Sequence, residues 1–147
     1  MITYDADGQM NIKDMTVFMN AIKKEKKLVY LGSRFLNQSK VENMPPMRRF
    51  ILRISKIVTR VLYGAKVSDP HNGFRVLSTE ALQYINLTAD GMHYANELQE
   101  QIKKNKLSYK EVPVNIRYTD YSLGKGQKNA HSIKLGLEMI YKKLFFR

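Results

Sequence analysis

Met1-Ile2-Thr3-Tyr4-Asp5-Ala6-Asp7-Gly8-Gln9 opens the chain, and its reading together with the continuation to Arg34 decides the fold. Ile2 to Tyr4 is a short apolar strand that runs straight into an acidic turn. Asn11 stands where a helix N-cap belongs, with Asp14 three residues on in the manner of a capping box. Met15, Phe18, Met19 and Ile22 then recur at helical spacing, and Lys23, Lys24, Lys26 and Lys27 suit the negative end of that helix. Leu28 to Leu31 is a second apolar strand, ending in Gly32-Ser33-Arg34. Strand, helix, strand in that order marks an α/β protein, so the expected fold is a mostly parallel sheet flanked by helices.

Working outward, residues 36–46 form a polar loop closed by Pro45-Pro46. An amphipathic helix is predicted from Met47 to Tyr63, with Arg49, Arg53, Lys56 and Arg60 on one face. Phe50, Ile51, Ile54, Ile57, Val58, Val61 and Leu62 fill the opposite arc, and Gly64 ends the helix. A turn at Ser68-Asp69-Pro70-His71-Asn72-Gly73 leads into a strand from Phe74 to Leu77. Helices are predicted from Thr79 and from Met92 to Lys104, the latter with Tyr94, Leu98 and Ile102 inward. Tyr109 to Thr119 reads as strand, placed at an edge or bend by Pro113. A polar loop, Ser122 to Lys128, precedes a last helix carrying Ile133, Leu137, Ile140 and Leu144.

Composition narrows the functions. Cysteine is absent, which excludes disulfide frameworks and thiolate metal sites and fits a reducing compartment. No run approaches the roughly 18 to 20 apolar residues that cross a bilayer. The opening residues lack the basic-then-apolar pattern of a secretory signal. The expected location is the cytoplasm, or the cytoplasmic face of a membrane. With 25 Lys and Arg against 13 Asp and Glu, the net charge is +12, so the chain seeks anions: ligand phosphates, anionic lipid or nucleic acid.

Asp5 and Asp7 lie two apart at a strand end, where a period of two sends both side chains to one side. Two carboxylates so placed suit one hard cation, Mg2+ or Mn2+, and ligands of open α/β sheets sit beyond such strand ends. Asp-x-Asp-Gly is equally the composition of an acidic turn, and the pair alone does not decide between the two.

Taken in order, Asp5-Ala6-Asp7-Gly8-Gln9, Gly32-Ser33-Arg34 and Asp69-Pro70-His71-Asn72-Gly73-Phe74-Arg75 resemble the family 2 glycosyltransferases of GT-A fold. The likeness is to the branch of dolichyl- and polyprenyl-phosphate sugar synthases and bacterial cell-surface polysaccharide enzymes. It continues through Glu111-Val112-Pro113-Val114 and Tyr118 to Gln127. The resemblance implies a metal-dependent, inverting transfer from a nucleotide-sugar donor to a polyprenyl phosphate or glycan. It gives Asp5 and Asp7 the metal and the donor diphosphate, with Gln9 supplementing the metal shell. Asp69 would face the acceptor, as base or as orienting group, while its alternative is to start a turn that Asn72-Gly73 completes. Arg34 would hold phosphate, against the alternative of a surface ion pair; Arg75 would hold phosphate or pair with an acid. Ser122 and Lys125, with Gln127, would close a lid over the diphosphate. Arg117 followed by Tyr-Thr-Asp-Tyr-Ser-Leu-Gly-Lys-Gly-Gln departs from the arginine and Gly-x-Ser-Lys-like loop of lipid-phosphate synthases, which leaves the acceptor open.

His71, His93 and His131 show no metal-ligand spacing, and Glu97 reads as a solvated helical acid. The 47–63 helix fits either a core-packed helix with solvated arginines or a helix lying on anionic lipid. Residues 142–147, Lys-Lys-Leu-Phe-Phe-Arg, repeat that ambiguity. Relatives of this kind begin with a strand–helix–strand unit for the nucleotide base, and this chain begins inside the next strand. Residues 1–147 are therefore expected to form one partial catalytic domain that binds nucleotide sugar weakly, turns over little, and self-associates through exposed sheet edge. Two rival readings remain: a basic nucleic-acid-binding module, for which the dispersed charges offer no pattern, and a non-catalytic remnant of a transferase.

Overall fold

The computed structural model describes residues 1–64, 66–89, 93–125 and 141. In chain order the elements are β1 (Ile2–Thr3), a 3-10 turn (Ile12–Asp14), α1 (Met15–Lys24), β2 (Val29–Ser33), β3 (Val41–Glu42) and α2 (Pro46–Tyr63). They continue with β4 (Arg75–Leu77), α3 (Thr79–Leu82), α4 (His93–Lys104), β5 (Tyr109–Pro113), β6 (Ile116–Arg117) and α5 (Asp120–Lys125). The final helix expected around Ile133 to Leu144, together with His131 and Gln127, lies outside the described residues.

The α/β class is as expected, but the sheet is mixed. Its order is β1-β4-β2-β5. Within this four-stranded sheet, among the described residues, β2 and β5 pair in parallel, Val29 against Tyr109 through Ser33 against Pro113. β4 lies between β1 and β2 and is antiparallel to both. The strand–helix–strand pattern of residues 2–33 is present, yet its two strands are not neighbours, because a strand some 40 residues further on inserts between them. The consequence decides the site. The ends of β1, β2 and β5 and the start of β4 all meet at one edge of the sheet, so the segments after Thr3, after Ser33 and before Arg75 converge there.

Apolar side chains pack on both faces. Val29, Leu31, Leu77, Leu98 and Ile102 form one cluster, with α4 supplying Leu98 and Ile102 as its spacing predicts. Phe18, Tyr30, Phe74, Val112, Val114 and Ile116 form the other, and the Phe18 and Phe74 rings stack at 4.5 Å. Met19 is exposed rather than inward. The predicted strand 109–119 is divided: after Pro113 the chain leaves β2, and β6 pairs with β3 in a separate two-stranded sheet.

Asn11 does cap, accepting from the Lys13 N–H, but the capping box does not form. Asp14 instead accepts from the backbone N–H of Asn115 at 2.6 Å and from its side-chain amide at 2.7 Å. A buried carboxylate so satisfied joins the start of α1 to the turn after β5.

α2 begins with Pro46 in its first turn and stops at Gly64 in the left-handed conformation, as a helix bounded by these residues should. Its apolar residues divide into two sets. Leu52 and Thr59 are buried and Ile51, Val58 and Leu62 half-buried, whereas Met47, Phe50, Ile54, Ile57 and Val61 are exposed on the outer side. No helix among the described residues is long and apolar enough to cross a membrane.

Candidate active site

Asp69 and Arg34 form the centre. Asp69 is buried, and its Oδ2 accepts from the Arg34 Nε at 2.6 Å, the Arg34 backbone N–H at 3.1 Å and the Asn72 side chain at 3.3 Å. The Arg34 Nη1 donates to the Tyr118 hydroxyl at 2.7 Å. Burial disfavours the Arg34 cation, but Asp69 and Tyr118 outweigh it and hold the guanidinium firmly charged. The surface ion pair considered for Arg34 is thereby corrected: it is a buried pair with only 8% of Arg34 exposed.

The turn expected at 69–73 is present alongside this chemistry. Asn72 N–H donates to the Asp69 carbonyl, and the Phe74 N–H donates to the Asn72 side chain at 2.9 Å. Gly32 lies under the turn; a β-carbon there would meet the Phe74 carbonyl at 2.8 Å and Asn72 Oδ1 at 2.9 Å. Glycine in the Gly-Ser-Arg segment thus lets β2 approach the Asp69 block.

Asp5 reaches the same block from β1. A β-carbon on Gly73 would lie 2.1 Å from Asp5 Oδ2, so the carboxylate rests directly on the glycine backbone. Thr3 Oγ1 donates to the Gly73 carbonyl at 2.6 Å and fixes the approach. Asp5 is open to solvent on one side, yet contact with the block strips part of its hydration. That desolvation, and then the charge of Asp7, push its carboxyl above the ordinary range, while Arg75 and Arg34 pull it down. Asp7 accepts from the Gln9 N–H at 3.0 Å, closing a turn in which Gly8 has φ +77°. Two mutually repelling carboxylates at a strand tip have the donor chemistry of a hard divalent cation, which would remove the repulsion. No cluster of three or more acidic or histidine side chains occurs among the described residues, so the remaining metal positions would fall to water and substrate oxygens.

Arg75 completes the constellation. It is 2% exposed, lies over the Tyr94 ring at 5.2 Å, and donates from Nη2 to the Pro70 carbonyl at 3.4 Å. Its Nη1 is buried without a hydrogen-bond partner. Burial lowers its pKa, opposed by Tyr94, Asp5 and Asp69. A buried guanidinium with a spare donor thus stands beside Asp5 and Asp69.

The other expected residues are placed differently. Ser122 is fully buried, and its hydroxyl accepts from the Thr119 N–H at 2.9 Å and donates to the Thr119 carbonyl. The Thr119 hydroxyl accepts from Ser122 N–H in return, so the pair caps α5 and Ser122 has no hydroxyl to offer a phosphate. Lys125 ends α5, and its side chain lies outside the described residues. Glu97 is not simply solvated, since it accepts from Thr88 and Ala89 N–H groups at 2.9 Å and anchors the loop before α4.

Sequence reasoning missed Tyr118 and Tyr94, which have the strand and helix patterns of core residues. It also missed a polar chain beside Arg34. Glu111 Oε1 accepts from both Ser68 N–H and Ser68 Oγ at 2.6 Å, and Ser68 Oγ meets Ser33 Oγ at 2.5 Å.

No protein-family model matches the chain. It is 31% identical over 147 residues to an uncharacterised protein of Methanocaldococcus jannaschii, covering 99% of this chain and 60% of the relative. It is 30% identical over 148 residues to UDP-N-acetylglucosamine--dolichyl-phosphate N-acetylglucosaminyltransferase of Methanococcus voltae, covering 99% and 57%. The relatives that the chain resembles include glycosyltransferases of the family 2 type. The chain is 26% identical over 137 residues to polyprenol monophosphomannose synthase of Mycolicibacterium smegmatis, covering 91% of this chain and 51% of the relative. The chain thus spans between half and three fifths of the length of these relatives. Its α/β architecture is that of the GT-A glycosyltransferases.

Proposed function

We propose that residues 1–147 form the metal-site and acceptor side of a glycosyltransferase that moves a sugar from a nucleotide-sugar donor to a polyprenyl phosphate, or to a cell-surface glycan. The observation that carries the reading is the convergence of Asp5, Gly73, Asp69, Arg34 and Arg75 at one sheet edge. Two of the relatives are named for dolichyl-phosphate or polyprenol-phosphate sugar transfer, which supports the acceptor class.

Asp5 and Asp7, with Gln9 beside them, would hold Mg2+ or Mn2+, which when bound supplies positive charge at the departing diphosphate. Arg75 offers its unpartnered Nη1 to a phosphate oxygen. Asp69, already sharing the Arg34 guanidinium, is better suited to orient the acceptor than to strip it of a proton. A phosphate acceptor is ionised near neutral pH and needs no strong base. Attack by that oxygen on the anomeric carbon, as the nucleoside diphosphate leaves from the opposite side, inverts the centre.

The acceptor side also has a surface for a lipid. Met47, Phe50, Ile54, Ile57 and Val61, at spacings of three and four, are between 45% and 75% exposed. Arg49, Arg53 and Arg60 are exposed beside them, and α2 contains no acidic residue. That charge favours an anionic bilayer, because a second copy of α2 would bring arginine against arginine. Self-association through the β1 edge is the weaker prospect, since that strand offers two residues.

Thermal unfolding with manganese and a panel of nucleoside diphosphates tests the reading. Ligand at about ten times Kd contributes about 1.4 kcal/mol and raises Tm by several degrees even where binding is weak. Asp5→Asn and Asp7→Asn should each remove the rise. A wild-type Tm unmoved by manganese with every diphosphate at millimolar concentration would sink the proposal.

A further inference from the structure

His71 sits inside the Asp69–Arg75 block, yet the chemistry above does not use it. Its imidazole is pushed down to about 4, first by burial, with Arg75 and Arg34 adding to the effect and Asp69 and Asn96 opposing it. At neutral pH it is an uncharged ring with one donor and one acceptor nitrogen. Its Nδ1 lies 3.3 Å from Ser55 Oγ of α2, and the ring also bonds the Asn96 side chain of α4. Thr59, one turn after Ser55, donates to Asn96 Oδ1 at 3.4 Å. Ser55 and Thr59 occupy the inner side of α2, away from the exposed Ile54, Ile57 and Val61.

We infer that His71 is a positioning residue that keys the Asp69–Arg75 loop to α2, so that the seating of that helix sets where Asp69 and Arg75 stand. The loop is tied within itself by Asn72 on Asp69, Phe74 on Asn72 and Arg75 on Pro70, so a shift at His71 moves it as a unit. Reacting groups tolerate little misplacement, and a displacement well under an ångström matters there. The transmission of lipid contact through this key rests on the proposed membrane role of α2; the keying itself does not.

Amide hydrogen exchange on the full chain separates the two. In buffer, His71→Ala should speed exchange of residues 69–75 by about tenfold while leaving α1 and β2 unchanged, since two hydrogen bonds of the loop are lost. His71→Asn, which keeps a polar group near the Nδ1 position, should recover most of the protection. Ser55→Ala should loosen the same loop a few-fold, and it serves if His71→Ala fails to fold. Vesicles of phosphatidylglycerol and phosphatidylcholine should then protect 69–75 in the wild type but not in His71→Ala, although both sediment equally. Loop exchange unchanged in both His71→Ala and Ser55→Ala, or accelerated across the whole chain, would overturn the keying. Equal vesicle protection in His71→Ala and wild type would overturn the transmission. A wild type that does not sediment with vesicles would overturn the lipid role of α2 and the transmission with it, while the buffer measurement still decides the key.

Discussion

The sheet edge that gathers Asp5, Arg34, Asp69 and Arg75 and the outer side of α2 are both rich in charge, but they treat it in opposite ways. At the sheet edge each guanidinium is buried against a carboxylate, a phenol ring or a carbonyl, and Arg75 Nη1 is left without a hydrogen-bond partner. On α2, Arg49, Arg53 and Arg60 stand in solvent beside an uncovered apolar stripe. The first region is held in place by its own hydrogen bonds and ion pair; the second is, on the proposed reading, a face that a lipid surface covers. Preorganised charge is costly to disturb for folding, whereas a docking face is costly to disturb only for docking.

Five substitutions sharpen that contrast. The largest effect belongs to Arg34→Ala, which leaves Asp69 buried without its cation and should lower unfolding free energy by about 3–5 kcal/mol in denaturant titration. Arg53→Ala on α2 should stay within about 0.5 kcal/mol in the same titration. Equal losses would erase the distinction between the regions.

Next comes pH. Because the folded state holds His71 near 4 and the unfolded chain titrates near 6.5, the unfolded state binds more protons between these values. The stabilisation is fully present above pH 6.5 and lost as pH falls toward 4, with a ceiling of about 3 kcal/mol. Denaturant midpoints measured from pH 7.5 to 4.5 should fall in the wild type, and the slope should flatten in His71→Asn.

Gly73→Ala is smaller in stability and sharper in function. A methyl group placed on the Asp5 carboxylate displaces it, costing about 1–3 kcal/mol and weakening manganese binding at least tenfold by calorimetry. Retained affinity would mean that Asp5 is not where the cation binds. Ile57→Glu closes the series: at 62% exposure it should change stability by no more than about 0.5 kcal/mol, yet cut sedimentation with anionic vesicles about tenfold or more.

What could be read without coordinates follows from the range of each interaction. The meeting of Asp5, Arg34, Asp69 and Arg75 was legible because each stands within a short motif beside a strand end or in the turn that leads to β4. The order of the sheet was not, since nothing in residues 2–34 announces that Arg75–Leu77 will enter between β1 and β2. Asp14 reads as a capping acid because its partner, Asn115, lies 101 residues away. Ser122 was drawn into a phosphate lid by the Gly-Lys residues after it, although Thr119-x-x-Ser122 carries its own capping pattern. Tyr118 looked like strand filling, and only the fold brings its hydroxyl to Arg34. On α2 periodicity found the helix but not which apolar residues face inward, because both sets lie on one broad arc.

The most direct measurement is paramagnetic broadening of amide resonances by substoichiometric Mn2+ on the isotope-labelled chain. The account predicts loss of signal at residues 5–9 and at 73–75, abolished by Asp5→Asn. Broadening that centres on other carboxylates such as Glu25 or Glu42, or that survives Asp5→Asn and Asp7→Asn together, would contradict it.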